Sequence, residues 1–249
     1  MREIIYGFKL SFSYFSILPV RFKNILNSPK IDRAFLFFIP FVGAFLAIVS
    51  SFLFLFLKNF LPNLYSAIFS ASFYMFLYGF LHLEAVIDTI DALFASHSKK
   101  DAYKILKEPT VGAIGVVFAV LFLILKLSLI SYLFINNLFL EFIAAALMGR
   151  LAIILPLKFF KIHENSLLAN SLKDVLSNRV FLDMAILYFL LSFAFIKIKA
   201  LFLFLILFIF SYFLSLYLYR KFNFINGDIL GFIIEMSEFL ILNIILAIS

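Results

Sequence analysis

The sequence predicts an all-α, polytopic integral membrane bundle of about seven transmembrane helices, on three observations. The chain is 65% hydrophobic and only 14% charged, with a mean hydropathy of +1.13, more apolar than a water-soluble globule needs. Uninterrupted apolar runs of about 20 residues, enough to cross a bilayer, recur along it. Its Lys and Arg residues are concentrated in alternate connections, as the positive-inside rule requires. Cysteine is absent, which excludes disulfides and thiolate metal sites, and the three histidines (His82, His97, His163) are scattered, against a zinc site. The net charge of +7 suits anionic lipid and would attract a phosphorylated substrate; it does not point to nucleic acid.

The elements follow in order. Residues 1–24, MREIIYGFKLSFSYFSILPVRFKN, carry Glu3 and Lys9 and no small-residue cleavage site. They read as an amphipathic interfacial segment ended by Pro19, not as a leader. Spans are expected near 34–57, 64–93, 111–135, 138–157, 180–196, 199–219 and 229–248. The fifth is short and meets the sixth at Lys197-Ile198-Lys199, either a tight hairpin or a single re-entrant unit. The polar stretch 158–179 is the longest loop and is expected to be a cytoplasmic interfacial helix or lid. With the N-terminus in the cytoplasm, 17 of the 21 Lys and Arg fall on the inner side and the C-terminus lies outside. No repeat or long linker divides the chain, so 1–249 reads as one membrane domain.

Four polar stretches interrupt the apolar runs. In HLEAVIDTIDAL (82–93), Glu84, Asp88 and Asp91 fall at 0°, about 40° and about −20° around a helix, on one face. Carboxylates so spaced can hold a divalent cation; without one they repel. In KEPTVGAIG (107–115), Glu108 and Pro109 suit the first turn of a helix, and Gly112 and Gly115 allow another helix or a ligand to come close. INGDILGFIIEMSEF (225–239) turns through Asn226, Gly227 and Asp228 into the last span; Asp228 suits a helix cap, while Glu235 and Glu238 lie deeper. Arg150, after Gly149 in the fourth span, needs an anion, either one of these acids or a phosphate. The predicted topology sends all four stretches to the cytoplasmic face. Glu141 falls at the other end.

In this order, the segments resemble the cobalamin synthase family, the adenosylcobinamide-GDP ribazoletransferases. Its pattern runs H-L-D-G-x-x-D-x-x-D-G-L, then K-D-S-R-x-G-x-x-G, then G-D-x-L-G-x-x-x-E-x-x-E. Here these are HLEAVIDTIDAL, KEPTVGAIG and GDILGFIIEMSE, preceded by FSILPV (15–20) and FFIPFVGAFL (37–46), which are similar to the family's early segments. Glu84 stands for the usual Asp, Ala85 and Ala92 for Gly, Glu108 for Asp, and Pro109-Thr110 for Ser-Arg.

The resemblance implies a Mg²⁺-dependent phosphotransferase of the bacterial inner membrane, its site facing the cytoplasm. It would join adenosylcobinamide-GDP to α-ribazole or its 5′-phosphate and release GMP. On that reading Glu84, Asp88, Asp91 and Asp228 hold the metal, with Asp91 the favoured proton acceptor beside Asp88. Arg150 and Lys107, with Glu108, meet the phosphates; Glu235 orients a ligand or a basic partner; Gly112, Gly115 and Gly227 permit close approach. Partners are small-molecule substrates and the lipid bilayer; a homo-oligomer stays open. Two alternatives remain at this point. A CDP-alcohol-phosphotransferase-like enzyme would carry D-G-x-x-A-R and then G-x-x-x-D-x-x-x-D, and no Arg follows Asp88 or Asp91 at that spacing. An ion-coupled transporter would place its site near the midplane of repeated halves.

Overall fold

The structure, a computed structural model, describes residues 2–20, 28–95 and 111–249. Eleven helices form in chain order among them: α1 (Arg2–Phe15), α2 (Pro29–Leu57), α3 (Asn63–Leu77), α4 (Leu81–Ala95), α5 (Ala113–Ile135), α6 (Phe139–Leu151), α7 (Ile154–Phe159), α8 (Leu167–Val175), α9 (Asn178–Ile196), α10 (Lys199–Phe222) and α11 (Gly227–Ile248). Six segments are long and apolar enough to cross a membrane: α2, α5, α6 with α7, α9, α10 and α11. The α3–α4 pair makes a seventh if its two halves, bent by 78°, count as one span. Six of the seven expected spans are therefore present, with α3–α4 at the place of the other, and the protein is a multi-pass helical bundle.

Local chemistry sets the boundaries. Ser28 caps α2, its Oγ accepting from the Ile31 amide, and Pro29 supplies the first helical position, where no amide is needed. Ser177 caps α9 in the same way, accepting from Val180. The fifth span is thus a 19-residue helix of its own. Lys197, at φ 53°, turns the chain tightly into the 24-residue α10.

The break between α3 and α4 falls at Gly79 (φ 66°) and Phe80 (φ 52°). Glycine adopts that left-handed backbone without cost; a bulky Phe does so only where its surroundings impose it.

The centre of the bundle is α6. In the span it forms with α7, 89% of the most apolar stretch is buried inside the protein, against 28% for α9 and 33% for α5 and α10. Around it pack α2, α9 and α11, while α4 packs against α5 and α11. Small residues set these approaches. A Cβ at Gly149 would meet the Glu238 Cβ at 2.6 Å, and one at Gly231 would meet the Ala85 Cβ at 2.8 Å. At Gly43 it would run into Arg150.

The amphipathic α1 lies on α2, with Gly7 pressed against Ile31 and Ala34. The polar stretch after α7 holds the nine-residue α8. Its start is tied to the α10–α11 connection by a parallel bridge of Ile162 and Ile225: Ile225 N–H donates to Lys161 O (2.9 Å) and His163 N–H to Ile225 O (2.8 Å).

Candidate active site

One cavity of about 890 Å³ collects four of the singled-out residues, Glu84, Asp88, Gly227 and Asp228. His82, Glu84, Ala85, Ile87 and Asp88 of α4 form one wall; Gly227, Asp228, Leu230 and Gly231 of α11, packed alongside, form the adjoining one. Gly79 and Phe80 from the α3–α4 break, Tyr14 and Phe15 from the end of α1, and Asn165 to Ala169 around the start of α8 complete it. Glu84, Asp88 and Asp228 thus share one chamber, although more than 130 residues separate Asp88 from Asp228 in sequence. Asp228 owes its place to its neighbour. Asn226 caps α11, accepting from the Ile229 amide (2.9 Å), and its Nδ2 donates to Asp228 Oδ2 (2.8 Å). The helix cap is Asn226 and not Asp228, because an Asx side chain just before the first helical residue reaches the free amides.

Asp91 does something else. Its Oδ2 accepts from the Gly112 amide (2.7 Å) and its Oδ1 from the Gly115 amide (2.8 Å), so both oxygens hold the first turn of α5. A carboxylate there also meets the positive end of the helix dipole. A Cβ at Gly112 or Gly115 would strike that carboxylate, which accounts for both glycines. Gly227 differs: among the described residues, a Cβ there would meet nothing within 4 Å. Lys107 and Glu108 lie outside the described residues.

Arg150 and Glu235 do not line the cavity. They belong to a second constellation buried between α3, α5, α6 and α11. Lys126 Nζ is 2.6 Å from Glu235 Oε2 and 3.0 Å from Glu238 Oε1; Arg150 Nη1 pairs with Glu238 Oε2 and donates to Ala146 O (3.1 Å). The Tyr74 hydroxyl donates to Glu238 (3.1 Å). All four charged side chains are no more than 1% exposed. Both cations also lie against aromatic faces, Arg150 Cζ at 5.6 and 5.5 Å from the Tyr74 and Tyr78 ring centres and Lys126 Nζ at 5.4 Å from Tyr78. The anion that Arg150 requires is therefore Glu238, and the basic partner of Glu235 is Lys126. Where a phosphate contact is expected of Arg150, the structure shows a guanidinium held by a carboxylate. Glu141 joins neither group and pairs with Lys199 at 3.3 Å.

Sequence reasoning passed over Lys126, Tyr74, Tyr78 and the place of His82. The signal for Lys126 was there: a lone cation in the middle of AVLFLILKLSLI must find an anion inside the bundle. His82, buried between Tyr78 and Phe15, lines the cavity as its one imidazole among the described residues.

Among the described residues no three carboxylates or imidazoles stand close enough together to form a ready metal cage. The donor set still suits Mg²⁺, which takes hard oxygens and commonly binds through one or two carboxylates plus the phosphates of its substrate.

A polytopic bundle with a carboxylate-walled chamber between two of its helices defines a membrane-embedded protein that receives a polar ligand. Residues 7–246 match the family described as cobalamin-5-phosphate synthase, and the chain belongs to it. It is 30% identical to an adenosylcobinamide-GDP ribazoletransferase of Thermodesulfovibrio yellowstonii over 250 residues, covering 96% of this chain and 95% of that one. It is 26% identical to the protein of the same name from Clostridium botulinum strain 657 over 251 residues, 99% of each chain. The Thermoanaerobacter pseudethanolicus relative of that name is 25% identical over 236 residues, 92% of each. No solved structure matches the chain.

Proposed function

We propose that the protein is an adenosylcobinamide-GDP ribazoletransferase that joins adenosylcobinamide-GDP to α-ribazole or its 5′-phosphate, the last assembly step of cobalamin, and that its site opens to the cytoplasm. The family membership and near full-length relatives of that name support the activity. The single structural observation that carries the site is that Glu84, Asp88 and Asp228 all line one chamber.

The reaction displaces GMP at a diphosphate. The ribose hydroxyl oxygen of the ribazole attacks the phosphorus on the cobinamide arm, and the bond from that phosphorus to the GMP oxygen breaks. The electron pair leaves with GMP. Such a displacement needs alignment and charge neutralisation more than covalent help from the protein. One or two of Glu84, Asp88 and Asp228, with the substrate's own phosphates, would hold Mg²⁺. The ion, when bound, would neutralise the diphosphate oxygens and polarise the phosphorus.

Asp91 anchors α5, and with it the orientation of the acid-bearing face of α4. Its oxygens accept from amides and it stands off the chamber lining, so a carboxylate on the chamber wall is the better placed proton acceptor, with Asp88 first among them. Asn165 and Ser166 offer polar contacts opposite, and Phe15, Phe80 and Leu168 give apolar surface at the same chamber. Seventeen of the 21 Lys and Arg support a cytoplasmic opening, and a helical, multi-pass chain of this family suits the bacterial inner membrane.

The test is one assay: purified protein, adenosylcobinamide-GDP, α-ribazole 5′-phosphate and Mg²⁺, scored for GMP. Release of GMP that stops with EDTA and returns with Mg²⁺ is expected. No GMP from folded, inserted protein overturns the activity, and turnover that survives exhaustive chelation overturns the metal.

A further inference from the structure

The buried constellation of Lys126, Glu235, Glu238 and Arg150 calls for an explanation beyond stability. Two cations and two anions taken wholly out of water add little over apolar side chains of the same volume, because desolvation cancels most of the attraction. Charges inside a membrane bundle are correspondingly rare and mark function. Yet none of the four lines the chamber. What they share with it is elements.

Glu235 and Glu238 stand two and three turns after Asp228 on α11, the helix whose Leu230, Gly231 and Ile234 also face the chamber. Tyr74, bonded to Glu238, and Tyr78, beneath both cations, end α3 just before Gly79, Phe80 and His82, which line the chamber. Lys126 fastens α11 to α5, and Asp91 fastens α5 to α4. Polar joints at two levels of α5 thus tie one acid-bearing helix to the other.

We propose that Lys126, with Glu235, Glu238 and Arg150, is a positioning network for the chamber: it fixes the register of α11 and of the α3–α4 break, and so the spacing of Asp228 from Glu84 and Asp88. The network touches no substrate. It acts through the helices it locks, and a hydrocarbon replacement of equal size would keep the bundle together without keeping the register. The kinetic consequence rests on the transferase reading above; the geometric one does not.

The experiment uses a charge-balanced pair, Lys126→Met with Glu235→Gln, which leaves Arg150 and Glu238 matched. The chain has no cysteine, so Phe94→Cys on α4 and Leu246→Cys on α11, both exposed, take spin labels at unique places in the full-length protein in nanodiscs. The expected result is a broadened or displaced distance between the labels. In the unlabelled pair, kcat falls by roughly tenfold to a hundredfold, as ångström-scale misplacement of reacting groups implies, while KM stays within about twofold. Lys126→Arg, which keeps the charge, is expected to restore most of the rate in place of Met. An unchanged distance distribution overturns the proposal whatever the turnover, and so does an unchanged kcat at an altered distance. Should the pair not insert, Glu235→Gln alone is measured in the same two ways, with the same readings overturning it. A wild-type protein that releases no GMP overturns the transferase reading, and the label distances then decide the network by themselves.

Discussion

Two places on α11 hold carboxylates only three turns apart, and they have opposite fates. Asp228 opens the helix at the chamber that Glu84 and Asp88 of α4 also line. Glu238 lies closed in the core, held by Arg150, Lys126 and Tyr74. A carboxylate with a fixed cation and a hydroxyl at hand is a structural joint. One that faces a chamber shared with other carboxylates is placed to receive something from outside. The difference is set by what the neighbouring helices present at each level, since the helix and the residue chemistry are the same.

That contrast makes distinct demands on variants. The largest effect is expected in the core. Arg150→Met leaves Glu238 without its guanidinium and should cost about 3–5 kcal/mol, seen as a sharp drop in folded protein recovered from the membrane and in its thermal midpoint. If Arg150 served the chamber instead, the variant would fold normally and lose only turnover.

Asp88→Asn should do the reverse. Folding and insertion are retained while kcat/KM falls by about 10²–10³-fold, the scale of losing one preorganised electrostatic contact. Normal turnover in that variant would remove Asp88 from the site.

Asp91→Ala stands between the two. Losing the anchor of the Gly112 and Gly115 amides should cost about 1–2 kcal/mol, comparable with a lost helix cap, and lower turnover through the orientation of α4. The check is thermal unfolding alongside the assay: lost turnover at full stability would return Asp91 to the chemistry. The smallest change is expected at the far end. Lys199→Ala breaks a pair with Glu141 that solvent partly screens (its Lys side chain is 37% exposed), so stability should shift by less than about 1 kcal/mol and turnover not at all.

Much of this was legible in the sequence, for identifiable reasons. The spans could be read because each needs about 20 apolar residues and nothing soluble produces seven such runs. The fifth looked short because its start was placed at 180; Ser177 caps the helix and brings Asn178 and Arg179 into it. The chamber acids could be read because carboxylates in apolar runs stand out at once. Their division of labour could not. A helical wheel puts Asp91 on the same face as Glu84 and Asp88, and only the packing of α5 against α4 reveals that its oxygens meet the Gly112 and Gly115 amides. Likewise Lys126 announces a buried charge, but its partner could be named only once α5 and α11 were known to be neighbours.

One consequence follows from the break at Gly79 and Phe80. Interrupted helix leaves peptide groups without their usual partners, and within a bilayer this is tolerated only against other protein or beside water. Here protein supplies the partners: Ile17 N–H donates to Leu77 O (2.8 Å) and Gly79 N–H to Phe76 O (2.8 Å), and both residues of the break border the chamber. The kink thus forms the chamber's rim with its own backbone satisfied, and any side chain at Gly79 would be strained and would strike Ile17.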